Sequence, residues 1–236
     1  MTAQEPDATE IVRRADQKTR GRSSRGATTI TIVRPSYTRE MSMISWSLGD
    51  DYFMILITAP TRDAGKTFLK REKEIWNWLP SIERTVKLPP SMMSQNWMGT
   101  DFKNDDLVQQ ASIIVDYTHE IVAEEEIEGL PCWKIELVPK PDAAVVWGRI
   151  LLWIDKADYM MLRGEYYDED DFLLNIMNGL DPKEFDGIRL PAVMEMIPAE
   201  EEGQKTVMKT ESLEFDIDLP DNFFTVRNMR SVRASD

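Results

Sequence analysis

The 236-residue chain is poor in the residues that build disulfides, metal sites and nucleophilic triads, with one cysteine, Cys132, and one histidine, His119. A lone cysteine excludes an intramolecular disulfide, and a lone histidine excludes a multi-histidine metal site within one chain. Any Ser, His, Asp or Cys, His set would have to recruit His119 itself, which stands in the strand-like stretch Asp116 to Ile121. Long apolar runs are missing as well. The longest is Met54 to Ile57, preceded by Tyr52 and Phe53, far short of the ~20 residues of a membrane-spanning helix. Positive charge is scarce: 28 Lys and Arg stand against 42 Asp and Glu, a net charge of -14. That balance argues against nucleic acid as the main partner, because phosphate binding needs a cationic footprint. An apolar leader is not seen in the polar first 25 residues, and Thr2 to Asp7 reads as the frayed start of a mature chain.

What is present is an ordinary globular composition, 42% apolar and 30% charged with 11 Gly and 13 Pro, which predicts one folded body over residues 1–236. Charge is uneven along it: residues 1–90 carry 15 basic and 11 acidic side chains, residues 91–236 carry 13 and 31. An acidic solvated surface explains this, and a dipole able to orient the protein between two partners is the alternative. Residues 1–25 read as a helix and a linker. Asp7 or Thr9 caps the helix, Ile11, Val12 and Ala15 form its apolar stripe, Gly21 ends it, and Arg22 to Arg25 is basic and small.

From Thr29 the apolar period becomes two. Strands are predicted in a first run between Thr29 and Leu88 and in a second between Val115 and Phe215, with turns such as Gly49-Asp50-Asp51, Glu128-Gly129 and Asp186-Gly187. About eleven strands joined by short turns indicate a mainly β (α+β) chain with a single large antiparallel sheet. Such a sheet must curl to hide an apolar face. Residues 90–112 break the pattern and read as a helical insertion, with Asn104 capping a short helix ahead of Asp105 and Asp106. Asp101, Asn104, Asp105 and Asp106 do not have calcium-loop spacing, and Gly65-Lys66-Thr67 lacks the second glycine of a phosphate-binding loop.

Two excesses carry the functional reading. Met41 and Met43 point opposite to Ile44 and Trp46, and Tyr52 to Ile57 has no polar face, so both sheet faces must be covered or one must line an apolar cavity. Methionine (14) and tryptophan (7) are the other excess, and Met92, Met93, Trp97 and Met98 fall in the insertion, where a loop is normally polar. Static packing of the insertion over the sheet or a mobile lid over an apolar site both account for them.

The chain resembles the periplasmic outer-membrane lipoprotein-sorting family, the LolA/LolB-like carriers. The likeness runs through the opening helix with Gly21-Arg22-Ser23-Ser24, Trp46-Ser47-Leu48-Gly49 and Glu74 to Pro80. It continues in Trp97-Met98-Gly99-Thr100-Asp101-Phe102 with Asn104 to Leu107, then Trp133 to Leu137 with Pro139, and Trp153-Ile154-Asp155. The resemblance implies an open half-barrel closed by the N-terminal helix and a helical lid over 90–112, whose apolar interior receives the acyl chains of a lipoprotein or another lipid. It implies a non-enzymatic periplasmic carrier that needs no cofactor or metal, with an inner-membrane transporter and an outer-membrane acceptor as candidate partners. Lipid-binding candidates are Met41, Met43, Trp46, Phe53, Ile55, Trp76, Trp78, Met92, Met93, Trp97, Met98, Phe102, Trp133 and Ile135. The family's lid-holding arginine has three candidates here, Arg34, Arg39 and Arg84. The lack of an N-terminal cysteine for a lipid anchor points to the carrier rather than the anchored acceptor. The alternative is a lipid- or lipoprotein-sensing adaptor for a membrane protein, and a hydrolase using His119 ranks last.

Overall fold

The computed structural model describes residues 7–72, 74–108, 112–143 and 145–236. Expectations that fall on Met1 to Pro6, Lys73 or residues 109–111 lie outside them. The first element is α1 (Ala8–Arg20), capped by the Asp7 carboxylate, which accepts from the Thr9 amide at 3.1 Å. It buries Ala8, Ile11, Val12 and Ala15 and stops at Gly21, whose φ is 61°. A side chain there would be strained in φ and would meet the Phe215 ring at 2.9 Å, so glycine ends the helix for two reasons.

The first run of strands is β1 (Ser23–Arg34), β2 (Tyr37–Leu48), β3 (Tyr52–Ala59), β4 (Thr67–Arg71), β5 (Glu74–Leu79) and β6 (Arg84–Lys87). The second is β7 (Tyr117–Ile127), β8 (Leu130–Pro139), β9 (Arg149–Asp155), β10 (Met161–Tyr167), β11 (Leu173–Phe185), β12 (Ile188–Pro198) and β13 (Lys205–Phe215). They form one sheet in the order β6-β5-β4-β3-β2-β1-β13-β12-β11-β10-β9-β8-β7, every neighbouring pair antiparallel. Two meanders are therefore joined at the middle by β1 and β13, and the sheet stays open, with β6 and β7 at its opposite edges. The chain between those edges, residues 88–116, has to cross from one side to the other.

The sheet has thirteen strands where about eleven were expected, and those after residue 66 are the shortest, of five, six and four residues. Three other expectations are corrected. The stretch Arg22 to Arg25 is not a linker beyond its first residue: β1 starts at Ser23, whose hydroxyl donates to the Ile217 carbonyl at 2.6 Å, and Ser24 bonds Ser47 at 2.7 Å. Val115 ends a short helix, α3 (Ser112–Val115), rather than opening a strand. The insertion over 90–112 is only partly helical, with single 3-10 turns at Pro90–Met92 and Trp97–Gly99 before α2 (Asn104–Val108).

The sheet's two faces are covered differently. On the inner face, α1 packs against Tyr117, Trp133, Ile135, Leu137, Ile150, Leu152 and Ile154, and the crossing segment packs on β1 to β4 through Trp97 and Met98. On the outer face, Trp46, Met54, Leu56 and Leu69 are buried by the C-terminal segment through Phe224, Met229 and Val232. Phe224 is wholly buried and stacks on Tyr52 with ring centroids 5.6 Å apart. Its replacement leaves a large void against strands that cannot collapse together. Phe224→Ala is expected to lower unfolding free energy by about 3–5 kcal/mol in urea denaturation, whereas a change under about 1 kcal/mol would show the tail to be peripheral.

Candidate functional site

A cavity of about 370 Å³ lies between α1, the inner face of the sheet and the crossing segment. Its body is apolar and methionine-rich, walled by Met43, Phe53, Phe102, Ile150, Leu152, Met161, Met177, Met194, Met196 and Met208, together with Tyr166. Flexible thioethers re-pack around varied shapes, which suits an apolar ligand without fixed geometry. Burial raises the Tyr166 and Tyr117 phenols above their ordinary range, so both stay neutral hydroxyls.

The roof is fastened to the middle of the sheet. Arg34 of β1 donates to both carboxylate oxygens of Asp101, at 2.9 and 3.1 Å, and to the Gly99 carbonyl at 3.0 Å. The Thr206 hydroxyl of β13 donates to Asp101 at 2.6 Å and accepts from the Asp101 amide at 2.9 Å. Asp101 is 5% exposed and Thr206 fully buried, so this bidentate pair is held away from solvent. Arg39 adds a contact to the Met98 carbonyl at 3.3 Å. Arg34 and Arg39 thus both reach the segment, Arg34 with the stronger set, while Arg84 stands on the exposed edge strand β6. Within the segment, the Trp97 amide donates to Phe102 at 2.8 Å, and Trp97 sits edge-on to Phe68 with ring centroids 5.3 Å apart.

Beyond the roof, Asp106 accepts from the Trp147 indole at 2.9 Å and from the Lys103 amide at 2.7 Å. Burial raises its pKa against those two bonds. Asn104 does not cap α2 through its side chain, as expected, but donates to the Met92 carbonyl at 2.9 Å and ties the start of the segment to its end.

The predicted lipid-binding residues divide by sheet face. Met43, Phe53 and Phe102 line the cavity; Met41, Ile55, Trp97 and Met98 pack on the inner face beside it. Trp133 and Ile135 are on the inner face but under α1. Met93 is buried against Ile75 and Val146, where the segment bridges the two edges of the sheet, and Met92 is half-buried next to it. Trp46, Trp76 and Trp78 belong to the outer-face cluster beneath the C-terminal segment, so sheet parity removes them from the cavity wall. His119 is a tie between elements: its Nε2 meets the Ile113 carbonyl at 2.8 Å and its Nδ1 the Thr9 hydroxyl at 3.2 Å, and burial lowers its pKa.

One end of the cavity is polar, and sequence reasoning passed over it. Asp16 and Arg20 come from the last turns of α1, Asp50 from the β2–β3 turn, Lys70 from β4 and Asp105 from α2. Arg20 pairs with Asp16 and with Asp50, the latter at 3.0 Å, and Lys70 donates to the Asp50 carbonyl at 2.8 Å. Asp105 is 7% exposed, and its carboxylate has no hydrogen-bond partner among the described residues. Burial, followed by the nearby Asp106 and Asp116, pushes its pKa up to about 7. Burial lowers Lys70 and raises Asp16, the latter against the pull of Arg20.

Fold and cavity define the class: an open half-barrel of antiparallel strands with an apolar interior. A DUF1329 family protein of Desulfovibrio piger has this fold, with a TM-score of 0.84 and 23% identity over 94% of this chain and 97% of the other. So does a Vibrio parahaemolyticus domain described as an outer membrane lipoprotein-sorting protein, at TM-score 0.84 and 22% identity over 94% and 98%. A LolA superfamily protein of Nitrosomonas europaea matches at TM-score 0.80 and 23% identity over 94% and 99%. Residues 49–231 match a family model described as "Uncharacterized protein"-like, and the chain belongs to that family. No curated protein matches the sequence.

The raised pKa of Asp105 has a stability consequence of definite sign. The folded state holds this proton more tightly than the unfolded chain, whose carboxyl titrates near 3.8, so the proton-linked stability is full below that value and is lost as pH rises towards about 7. Asp105→Asn is therefore expected to stabilise the fold by about 1–3 kcal/mol at pH 8, by less at pH 5, and by least near pH 4. Thermal melts across that range check it, and a pH-independent difference would contradict it.

Proposed function

We propose that the protein is a non-enzymatic carrier of acyl chains, acting in the periplasm between an inner-membrane donor and an outer-membrane acceptor. The observation that carries this reading is the partly open, methionine-lined cavity on the inner face, beside a segment that holds large apolar side chains against the sheet. Burying apolar area returns ~25 cal/mol per Å², so one chain in this cavity gains useful affinity without a precise polar contact. The likeness to a lipoprotein-sorting domain and to a LolA superfamily protein supports the same reading. No helix among the described residues is long and apolar enough to cross a membrane, and the cavity, rather than a span, is the apolar feature.

In this reading the crossing segment is a lid. Pro89-Pro90 and the left-handed Met98-Gly99 pair punctuate it, and opening exposes Trp97 and Phe102 at a cost of ~1.5–3 kcal/mol each when fully hydrated. The empty protein stays mostly closed, and ligand offsets the cost of opening. Native mass spectrometry of the purified protein, followed by displacement of a fluorescent fatty acid, tests the carrier function. Failure to retain or take up any lipid or lipopeptide overturns it.

The clamp gives a second test. Arg34→Ala leaves Asp101 buried without its cation, and breaking such a pair costs about 3–5 kcal/mol. Thr206→Val removes only the hydroxyl, at about 1–2 kcal/mol. Amide exchange over residues 97–103 is expected to quicken in both variants, more in Arg34→Ala, and fatty-acid uptake to speed up in parallel. Faster exchange with unchanged uptake would show that the segment is packing and not a gate.

A further inference from the structure

The polar end of the cavity is chemically lopsided. Four carboxyl groups and two cations, Arg20 and Lys70, line the cavity: Asp16, Asp50 and Asp105, together with Asp106, whose two oxygens are taken by Trp147 and Lys103. Arg20 is taken up by Asp16 and Asp50, and Lys70 is anchored on the Asp50 carbonyl. What is left over is mainly acceptor. The Asp16 side chain is 7% exposed, yet its Oδ2 is buried with no hydrogen-bond partner, and the Asp105 carboxylate, in a residue 7% exposed, also lacks one among the described residues. Arg20 Nε is the one donor in the group left in the same condition. Buried polar atoms in this state cost free energy unless a ligand or water completes them.

An anionic head group brought here meets a surplus of negative charge in a poorly solvated pocket mouth, where like charges repel strongly. A head with hydroxyl or amide N–H groups supplies the donors that Asp16 and Asp105 lack, and its own oxygens can accept from Arg20 Nε. We propose that the cavity selects amphiphiles with an uncharged, hydrogen-bond-donating head, a hydroxyl or an amide, over those ending in carboxylate or phosphate. The selection is made by Asp105 and Asp16 at the polar end while the chain lies among the methionines. This rests on the carrier reading and names the class of ligand for that site.

The test compares four probes with the same twelve-carbon chain, used below their micelle concentrations at pH 8: a monoacylglycerol, an N-acylethanolamide, the free fatty acid and a lysophosphatidic acid. Calorimetric Kd values for the two uncharged probes are expected to be about tenfold or more below those of the two anions. Monoacylglycerol against amide separates a hydroxyl from an amide preference. In Asp105→Asn, which keeps the shape and removes the charge, the anions should gain about fivefold while the uncharged probes change by less than about threefold. Lys70→Met reports the opposite design: if Lys70 anchors an anion, the anions bind the native protein best and lose affinity in this variant, which overturns the proposal. Equal binding of all four probes, unmoved by Asp105→Asn, also overturns it while leaving the carrier reading intact. Binding of none of them, with no lipid retained by the native protein, rejects the carrier reading itself.

Discussion

The structure depends on a crossing. Two antiparallel meanders joined by the pairing of β1 with β13 leave the end of the first and the start of the second on opposite edges of the sheet, so residues 88–116 must traverse the molecule. A chain crossing over solvent would leave its backbone groups to water and the inner face bare. This one runs against the inner face, buries Trp97 and Phe102, and is fastened midway through its Asp101 to Arg34 and Thr206 on the two central strands. A buried ion pair costs desolvation, and it holds only where geometry and extra hydrogen bonds compensate. Here each Asp101 oxygen and its own amide have a partner. The clamp thus converts a topological necessity into a roof with a defined position.

Covering decides the rest. A sheet apolar on both faces needs two covers, and the chain supplies three: α1 and the crossing segment inside, the C-terminal segment outside. Outside, Phe224, Met229 and Val232 fill the space against Trp46, Met54 and Leu69. Inside, the two covers come from different parts of the chain, touch where Ile113 and Ile114 of α3 pack beside α1, and leave the cavity between α1, Phe102 and the sheet. The same asymmetry explains where methionine is concentrated: seven of its side chains line this gap, Met43, Met160, Met161, Met177, Met194, Met196 and Met208, where no single packed partner dictates shape.

Alternation along the chain made the strands, the opening helix and the non-strand insertion legible, because each has a local period or a local stop signal. Parity was legible only in part. Met41 and Met43 were separated correctly from Trp46, but which set faces the cavity depends on what covers each face, and Phe223, Phe224 and Met229 lie in a tail with no period to announce that it packs anywhere. Trp76 and Trp78 were misplaced for the same reason. The Ser23 start of β1 was hidden because its anchors, Ser47 and the Ile217 carbonyl, are far along the chain. The polar end was the least legible feature: Asp105 stands in Asn104-Asp105-Asp106, a pattern that local chemistry explains as a helix start, and only the fold brings it towards Lys70, Asp50 and Asp16.

That end is also where the sequence works against its own stability. The neighbouring buried carboxylates of the roof are satisfied: Asp101 by Arg34 and Thr206, Asp106 by Trp147 and Lys103. Asp105, one position from Asp106, is held in a 7% exposed setting near the Asp106 and Asp116 carboxylates, and its carboxylate accepts no hydrogen bond among the described residues. An asparagine or a leucine would serve the packing at lower cost, and folds keep local violations of this kind chiefly at working sites. A carrier whose apolar walls accept any chain of suitable length gains little discrimination from those walls, since one methylene changes affinity only modestly. A site that leaves buried acceptors unmatched discriminates far more steeply, because a head that fails to fill them leaves their full desolvation cost in place. The uncompensated carboxylate is therefore the feature of this cavity with the greatest capacity to tell one amphiphile from another.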